Sequence, residues 1–208
     1  MSGVVVMGNG GHSRSCVDAW STTSSLQPIG CTGLDTTEVS EIPYLGTDEV
    51  LPDLFAQGHR SVFVALGESR LRERCTRLAV GQGFSPTTLV ADSAQIARTA
   101  TIDPGAAILR GAIIGAFTSV GEGAIVNTGA SIDHNCVIGP YAHIAPGTHL
   151  SGCVEIGAHA FLGVGTSVVP GVRIGAGATV GAGAVVISDV PDGQTFVGVP
   201  ARLTHRKG

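Results

Sequence analysis

The chain has 208 residues, a formal charge of −4 and 43% hydrophobic residues, enough for one large or two small domains with a self-sufficient core. The mild acidity excludes the basic excess that nucleic-acid or anionic-membrane binding requires, and no apolar run approaches the roughly 18 residues of a spanning helix. No basic-then-apolar leader opens the sequence, and five cysteines without a CxxC pair point to a reducing, cytoplasmic setting and away from structural zinc.

Residues 1–89 carry 15 of the 28 charged side chains and read as alternating strands and helices. Val4–Met7 is an apolar strand, and 13–24 suits a helix capped by Ser13. Residues 29–34 form a second strand. Residues 47–57 suit a helix to which Pro52 objects. Residues 61–66, 69–80 and 85–90 follow as strand, charged helix and strand. Such alternation predicts a small parallel sheet. The first strand runs into Gly8-Asn9-Gly10-Gly11-His12-Ser13, a glycine turn before a helix N-terminus, where backbone N–H groups meet a phosphate. The dinucleotide fingerprint is incomplete because Ser13 replaces its third glycine, so a tight turn without a ligand stays open. Asp35 ends the second strand, where an acidic side chain commonly holds a ribose or base, and Gly67 ends the third. Three strand ends at one crevice favour a ligand there.

Residues 90–187 carry only 8 charged side chains and no lysine. Every sixth residue from Val90 to Val186 is Val, Ile or Leu, 17 positions without a break, and the residue four places on is small, as at Ala112, Thr118, Ala124 and Cys136. A period of six fits neither an amphipathic helix nor a hairpin meander; it is the period of a parallel β-helix built from hexapeptides. Three hexads make one coil, and about five coils make a prism about 25 Å tall. The sequence therefore divides into an α/β domain over 1–88 and an all-β domain over 89–208.

Polar chemistry is sparse in the repeats, which makes Asp133-His134-Asn135 conspicuous. With Ile132 inward, His134 faces out near a corner, and either neighbour could orient the imidazole so that one nitrogen takes a proton. A solvated surface histidine is the plain alternative. A metal site drawn from His134, His143, His149 and His159 is disfavoured, because their spacings of 9, 6 and 10 do not share one row of an 18-residue coil. Cys136 is a small inward residue and a poor nucleophile. The prism carries too little charge for a fully solvated surface, so one face is expected to pack against further copies of the chain.

The unbroken hexads, the GNGGH turn, Val-Ala-Leu-Gly-Glu-Ser-Arg-Leu-Arg over 64–72, Ile-Asp-His-Asn-Cys-Val-Ile-Gly over 132–139, Phe-Leu-Gly-Val-Gly over 161–165 and Phe-Val-Gly-Val-Pro-Ala-Arg over 196–202 together resemble the sialic-acid O-acetyltransferase-like family of bacterial sugar acyltransferases. That family includes N-acetyltransferases of UDP-linked 4-amino sugars and perosamine N-acetyltransferases, and the resemblance spans essentially the whole chain. It implies a Rossmann-like nucleotide-sugar domain followed by a left-handed β-helix, a handedness that departs from the usual crossover rule. It implies acetyl-CoA as co-substrate and a homotrimer with shared active sites, beside the cytoplasmic setting and the absence of a metal expected from the cysteines and the histidine spacings. By the same resemblance His134 is the catalytic base, and Asn135 stands where relatives usually have an acidic residue. His143, Val164 and Ala182 match acetyl-CoA contacts, and Gly10, Gly11, His12 and Asp35 match nucleotide-sugar contacts, beside Gly67 at the neighbouring strand end. The expected activity is N-acetylation of a nucleotide-linked amino sugar, with sugar O-acetylation and a non-catalytic hexapeptide scaffold as alternatives.

Overall fold

A computed structural model describes residues 3–20, 24–34 and 41–204. The chain divides into two compact units, 1–92 and 93–208.

The first unit is built on a five-stranded sheet: β1 (Val4–Met7), β2 (Pro28–Thr32), β3 (Tyr44–Gly46), β4 (Ser61–Val64) and β5 (Ser85–Pro86), in the order β3-β2-β1-β4-β5. All neighbours are parallel. β1 is central, and all four of its residues are buried, which is why it is an uninterrupted apolar run with no polar alternation. Leu51, Leu54, Cys75, Ala79 and Phe84 pack with Val5, Met7, Val62 and Val64 in one cluster.

The helices depart from the sequence expectations at their ends. α1 spans Gly11–Asp18, starting two residues early; Gly10 is its N-cap without a side-chain bond, and Ser13 lies buried inside the first turn. The chain then turns at Trp20, whose Nε1 donates to the Leu26 carbonyl at 2.9 Å. The stretch 47–57 splits into a 3₁₀ turn (Asp48–Val50) and α2 (Leu51–Ala56). Pro52 falls in the first helical turn, where its missing N–H removes nothing. α3 (Ser69–Gly81) starts as expected because the Glu68 carboxylate accepts from the N–H groups of Arg70 and Leu71 at 2.9 and 2.6 Å. The expected strand over 85–90 is interrupted, with β5 followed by a separate pair, Leu89–Val90. Val90, first of the hexad series, is 38% exposed and not part of the interior.

In the second unit every strand from Gln95–Ile96 to Val185–Val186 is two residues long. Each from Gln95–Ile96 to Ser167–Val168 pairs in parallel with the strand 18 residues on, as Ile113↔Ser131↔His149 and Ile125↔His143↔Phe161, and near the end the step shortens to 16, as Thr179↔Thr195. Three sheets result. One carries the outward residues Gln95, Ile113, Ser131, His149, Ser167 and Val185; the next Thr101, Ser119, Val137, Glu155 and Arg173; the third Ala107, Ile125, His143, Phe161 and Thr179. The hexad aliphatics from Ile108 to Val186 fill the interior with the small residues between them. The period of six is thus the distance from one face to the next, and one bulky side chain per strand is all the interior admits.

The corners explain the glycines. One position in each turn is left-handed, and along one edge it is held by Gly111, Gly129, Gly147, Gly165 and Gly183. On the other edges L-residues share it with glycine: Phe117, Asn135 and Cys153 with Gly171 on a second edge, Tyr141 and His159 with Gly105, Gly123 and Gly177 on the third. A separate column, Gly121-Gly139-Gly157, is required by close stacking, since a Cβ on Gly139 would lie 2.6 Å from the Ala158 nitrogen of the coil above. Gly139→Ala should therefore force two coils apart and lower stability by about 1–3 kcal/mol. A urea titration of the purified variant against wild type measures this, and an unchanged midpoint would refute the stacking constraint.

Candidate active site

His134 sits at the corner between the Ser131–Ile132 strand and the Val137–Ile138 strand. Three bonds fix this corner. The Asp133 carboxylate accepts from the His134 backbone N–H at 2.7 Å, the Thr118 hydroxyl of the preceding coil donates to the Asp133 carbonyl at 2.8 Å, and Asn135 N donates to the Ala116 carbonyl at 2.9 Å. The imidazole Nδ1 donates to Asn135 Oδ1 at 2.9 Å. Because a carbonyl oxygen only accepts, this bond places the ring proton on Nδ1 and leaves the Nε2 lone pair open. Asn135 makes that contact from the left-handed region, φ 58°, where asparagine is among the better tolerated side chains. Of the two neighbours able to orient the ring, Asn135 does so, while Asp133 serves the backbone.

The ring lies over Gly152, one coil on: a Cβ there would come within 2.6 Å of His134 Nε2. Gly152 was not evident from the sequence, although the 18-residue step from His134 points straight at it. Cys136 is fully buried and its Sγ donates to the Ser151 carbonyl at 3.2 Å. Burial pushes its thiol above the ordinary range, aided by the nearby Asp133 charge, so it is no nucleophile.

His143, Val164 and Ala182 lie elsewhere. His143 is on the third face, where its Nε2 accepts from Asn127 Nδ2 at 3.2 Å and its ring meets Phe161 edge-on at 5.3 Å. Val164 is 56% exposed at the following corner, and Ala182 stands one coil above it, where its nitrogen would be 2.5 Å from a Cβ on Gly163. Asn127, missed in the sequence, belongs with this group. The structure therefore gathers His134 and Asn135 at one edge and His143, Asn127, Val164 and Ala182 about another. The four β-helix histidines have separate surroundings: His149 bonds Ser131, and His159 stacks on Tyr141 at 5.6 Å. Among the described residues no group of three or more His, Cys, Asp or Glu is placed to hold a metal ion.

In the first unit, a cavity of about 600 Å³ opens at the strand ends and is lined by Asn9, Gly10, Gly33, Asp48, Leu66 and Arg74 among others. Gly10 has open space where a Cβ would be. Gly11, His12 and Gly67 do not line this cavity. His12 is half-buried, with Nε2 3.5 Å from Cys16 Sγ. Burial first, and then the Arg72 charge, push its imidazole down to about 4, while burial pushes the Cys16 thiol up to about 12. Both are neutral at neutral pH. The Gly67 carbonyl accepts from the buried Arg72 guanidinium at 3.0 Å, and the Leu66 carbonyl does so at 2.8 Å. Asp35 lies outside the described residues. Asp48 and Arg74 gave no sequence signal, since only the fold brings a 3₁₀ turn and α3 to the same strand ends. No described helix is long and apolar enough to cross a membrane.

The PglD N-terminal domain family matches residues 3–78. No curated protein matches the chain. Among solved structures, GDP-perosamine N-acetyl transferase from Caulobacter crescentus, in complex with CoA and GDP-perosamine, is 38% identical, with a TM-score of 0.95 over 99% of this chain and 98% of that one; the form compared is a variant with one histidine replaced by alanine. The acetyltransferase domain of PglB from Neisseria gonorrhoeae in complex with acetyl coenzyme A is 32% identical, with a TM-score of 0.88 over 97% of this chain and 98% of that one. WeeI from Acinetobacter baumannii is 27% identical, with a TM-score of 0.87 over 98% of this chain and 100% of that one.

Gly152→Val tests the seat of the imidazole. The added side chain should displace the ring and lower kcat about 10- to 100-fold, because a shift of about 1 Å in a reacting group costs on that order. Steady-state kinetics with a thioester-release assay should show the KM for acetyl-CoA unchanged. Full retention of kcat would show that the ring does not need this seat.

Proposed function

Since the chain belongs to the bacterial sugar acetyltransferase family, an α/β domain followed by a left-handed parallel β-helix, we propose that it transfers the acetyl group of acetyl-CoA to the amino group of a nucleotide-linked amino sugar. The observation that carries this reading is the 2.9 Å bond from His134 Nδ1 to Asn135 Oδ1, which presents Nε2 as a proton acceptor. The likeness to an N-acetyltransferase solved with CoA and GDP-perosamine supplies the acceptor class.

The neutral amine attacks the thioester carbonyl, forming the C–N bond as its proton passes to His134 Nε2. The tetrahedral intermediate collapses with cleavage of the C–S bond, and the imidazolium returns the proton to the departing thiolate. The base prevents accumulation of a cationic intermediate; no enzyme nucleophile is used. Gly10 and its neighbours at the strand ends hold the nucleotide, with His143, Val164 and Ala182 along the acetyl-CoA. The base and the acetyl-CoA group stand at different edges of one prism, so a site containing both is completed by a second copy. Cyclic threefold packing makes three equivalent sites of this kind, and the enzyme works as a cytoplasmic homotrimer in which its free cysteines stay reduced.

His134→Ala should lower kcat by about 10²–10⁴-fold with acetyl-CoA affinity near normal. A variant keeping more than about a tenth of wild-type turnover would remove His134 as base. Release of CoA with hydroxy sugars only would replace N- by O-acetylation, and no acetyl-CoA binding at all would leave a scaffold. Asn135→Asp introduces a carboxylate that favours the imidazolium, so the base loses its proton only at higher pH; the acidic limb of the kcat/KM profile should move upward. An unchanged limb would show that residue 135 does not tune the base. Light scattering should report roughly 63 kDa, three times 20.9 kDa. A fully active species of one chain would overturn the shared site.

A further inference from the structure

The sheet order β3-β2-β1-β4-β5 reverses direction at β1 and β4, and a crevice opens there at the strand ends. Two turns form its walls. The glycine turn after β1 abuts the turn between β4 and α3, since a Cβ on Gly8 would lie 2.8 Å from the Ala65 carbonyl oxygen. Gly8 and Gly10 of the first turn and Leu66 of the second line the cavity. The helices that follow start differently. The Glu68 carboxylate closes the N-terminus of α3. α1 starts from Gly10 without a side-chain bond, so its cap sets no charge against the positive end of the helix dipole.

Arg72 lies behind the second turn. It is 1% exposed, the largest of the fully buried side chains, and it is not part of the cavity lining. Its Nη1 donates to the Leu66 and Gly67 carbonyls at 2.8 and 3.0 Å. These acceptors are neutral, so they fix the guanidinium without cancelling its charge. The charge is felt at α1: after burial it is the second cause that holds the His12 imidazole neutral, and it opposes burial at the Cys16 thiol. A cation in the first turn of its own helix, α3, and withdrawn from water is unfavourable on both counts. An anion at the adjoining start of α1 offsets both.

We propose that Arg72 is a positioning residue for the nucleotide end of the acceptor: from behind the cavity wall its fork holds the β4–α3 turn, and its buried charge makes the crevice select a diphosphate over an uncharged nucleoside. The proposal rests on the acetyl-transfer reading above and deepens it by naming what fixes the charge of the nucleotide site.

The test uses full-length protein and calorimetric binding of GDP, UDP and dTDP, each beside its parent nucleoside; the pair with the tightest diphosphate is carried forward. Wild type should prefer the diphosphate by about 10- to 100-fold, as charge-assisted bonds at a helix N-terminus give. Arg72→Met should lose about 10-fold of that preference, raise the KM of the matching nucleotide-linked 4-amino sugar by a similar factor, leave the acetyl-CoA KM unchanged and move kcat by no more than about threefold. Arg72→Lys keeps the charge and should hold the preference within about threefold. Equal weakening of diphosphate and nucleoside in Arg72→Met, or a loss in Arg72→Lys as large as in Arg72→Met, would leave Arg72 a brace only and overturn the selection.

If Arg72→Met fails to fold, the wild-type preference is followed from about 50 to about 500 mM sodium chloride. A buried charge is screened little, so the preference should change by no more than about threefold; a larger loss would assign it to exposed arginines such as Arg14 and Arg74 and overturn the proposal. A wild-type enzyme that acetylates its acceptor without preferring the diphosphate overturns the role of Arg72 and leaves acetyl transfer standing. A wild-type enzyme inert toward every nucleotide-linked amino sugar overturns the reading on which the proposal rests.

Discussion

Everything in the β-helical unit follows from one constraint: residue i lies beneath residue i+18. The N–H of one coil finds its acceptor about 17 residues on, as in Ile113 N to the Ala130 carbonyl and His143 N to the Ala160 carbonyl, at 2.9 and 2.8 Å. Backbone pairing of this kind leaves almost no freedom at a corner. Each turn needs a left-handed residue, and the coils approach so closely that Gly139 has no room for a methyl group. The interior repeats on the same clock, with one large aliphatic and one small residue for each strand. A chain obeying these rules has few places left for polar side chains.

The places that remain are the corners and the outward strand positions. His134 and Asn135 occupy a corner where Phe117 and Cys153 stand in the coils on either side, so this edge keeps side chains at positions that glycine fills along another. Holding L-residues there costs about 1–2 kcal/mol each, and it is offset by the ladder bonds on both sides. What the strain achieves at Asn135 is specific: from φ 58° its amide oxygen reaches the ring of the preceding residue and sets the tautomer. Gly152 provides the complementary feature, an absence of side chain where the ring must lie.

The hexads made the β-helix legible because burial there is periodic and nothing else in the chain competes with it. The first unit was harder. β3 is three residues long and gives no pattern, and α1 starts on two glycines whose propensity argues against a helix at all. Of the site residues, His134 stood out through its polar neighbours, whereas Gly152, Asn127 and the Ser131–His149 pair become visible only when positions 16 or 18 apart are read together. Asp48 and Arg74 needed the folded sheet. The resemblance gave His12 as a nucleotide-sugar contact; its Nε2 lies 3.5 Å from Cys16 Sγ, and burial, with the Arg72 charge second, keeps its imidazole neutral. Resemblance supplied the handedness and the residues expected to meet acetyl-CoA; hydropathy is the same for a left- or right-wound coil.

The 18-residue ladder also makes the prism a ruler. A side chain on it can be moved along the axis only by whole coils, about 4.8 Å at a time, or across the surface by whole hexads to another face. Insertions of one or two residues would turn every later aliphatic outward, so the surface between rungs is unreachable by gradual drift. New specificity on such a scaffold must come from exchanging side chains at fixed addresses, or from lengthening a corner into a loop. In His149 the chain keeps an imidazole one rung above Ser131 and a single corner away from another at His134, so two chemically similar groups stand at addresses that the coil repeat sets.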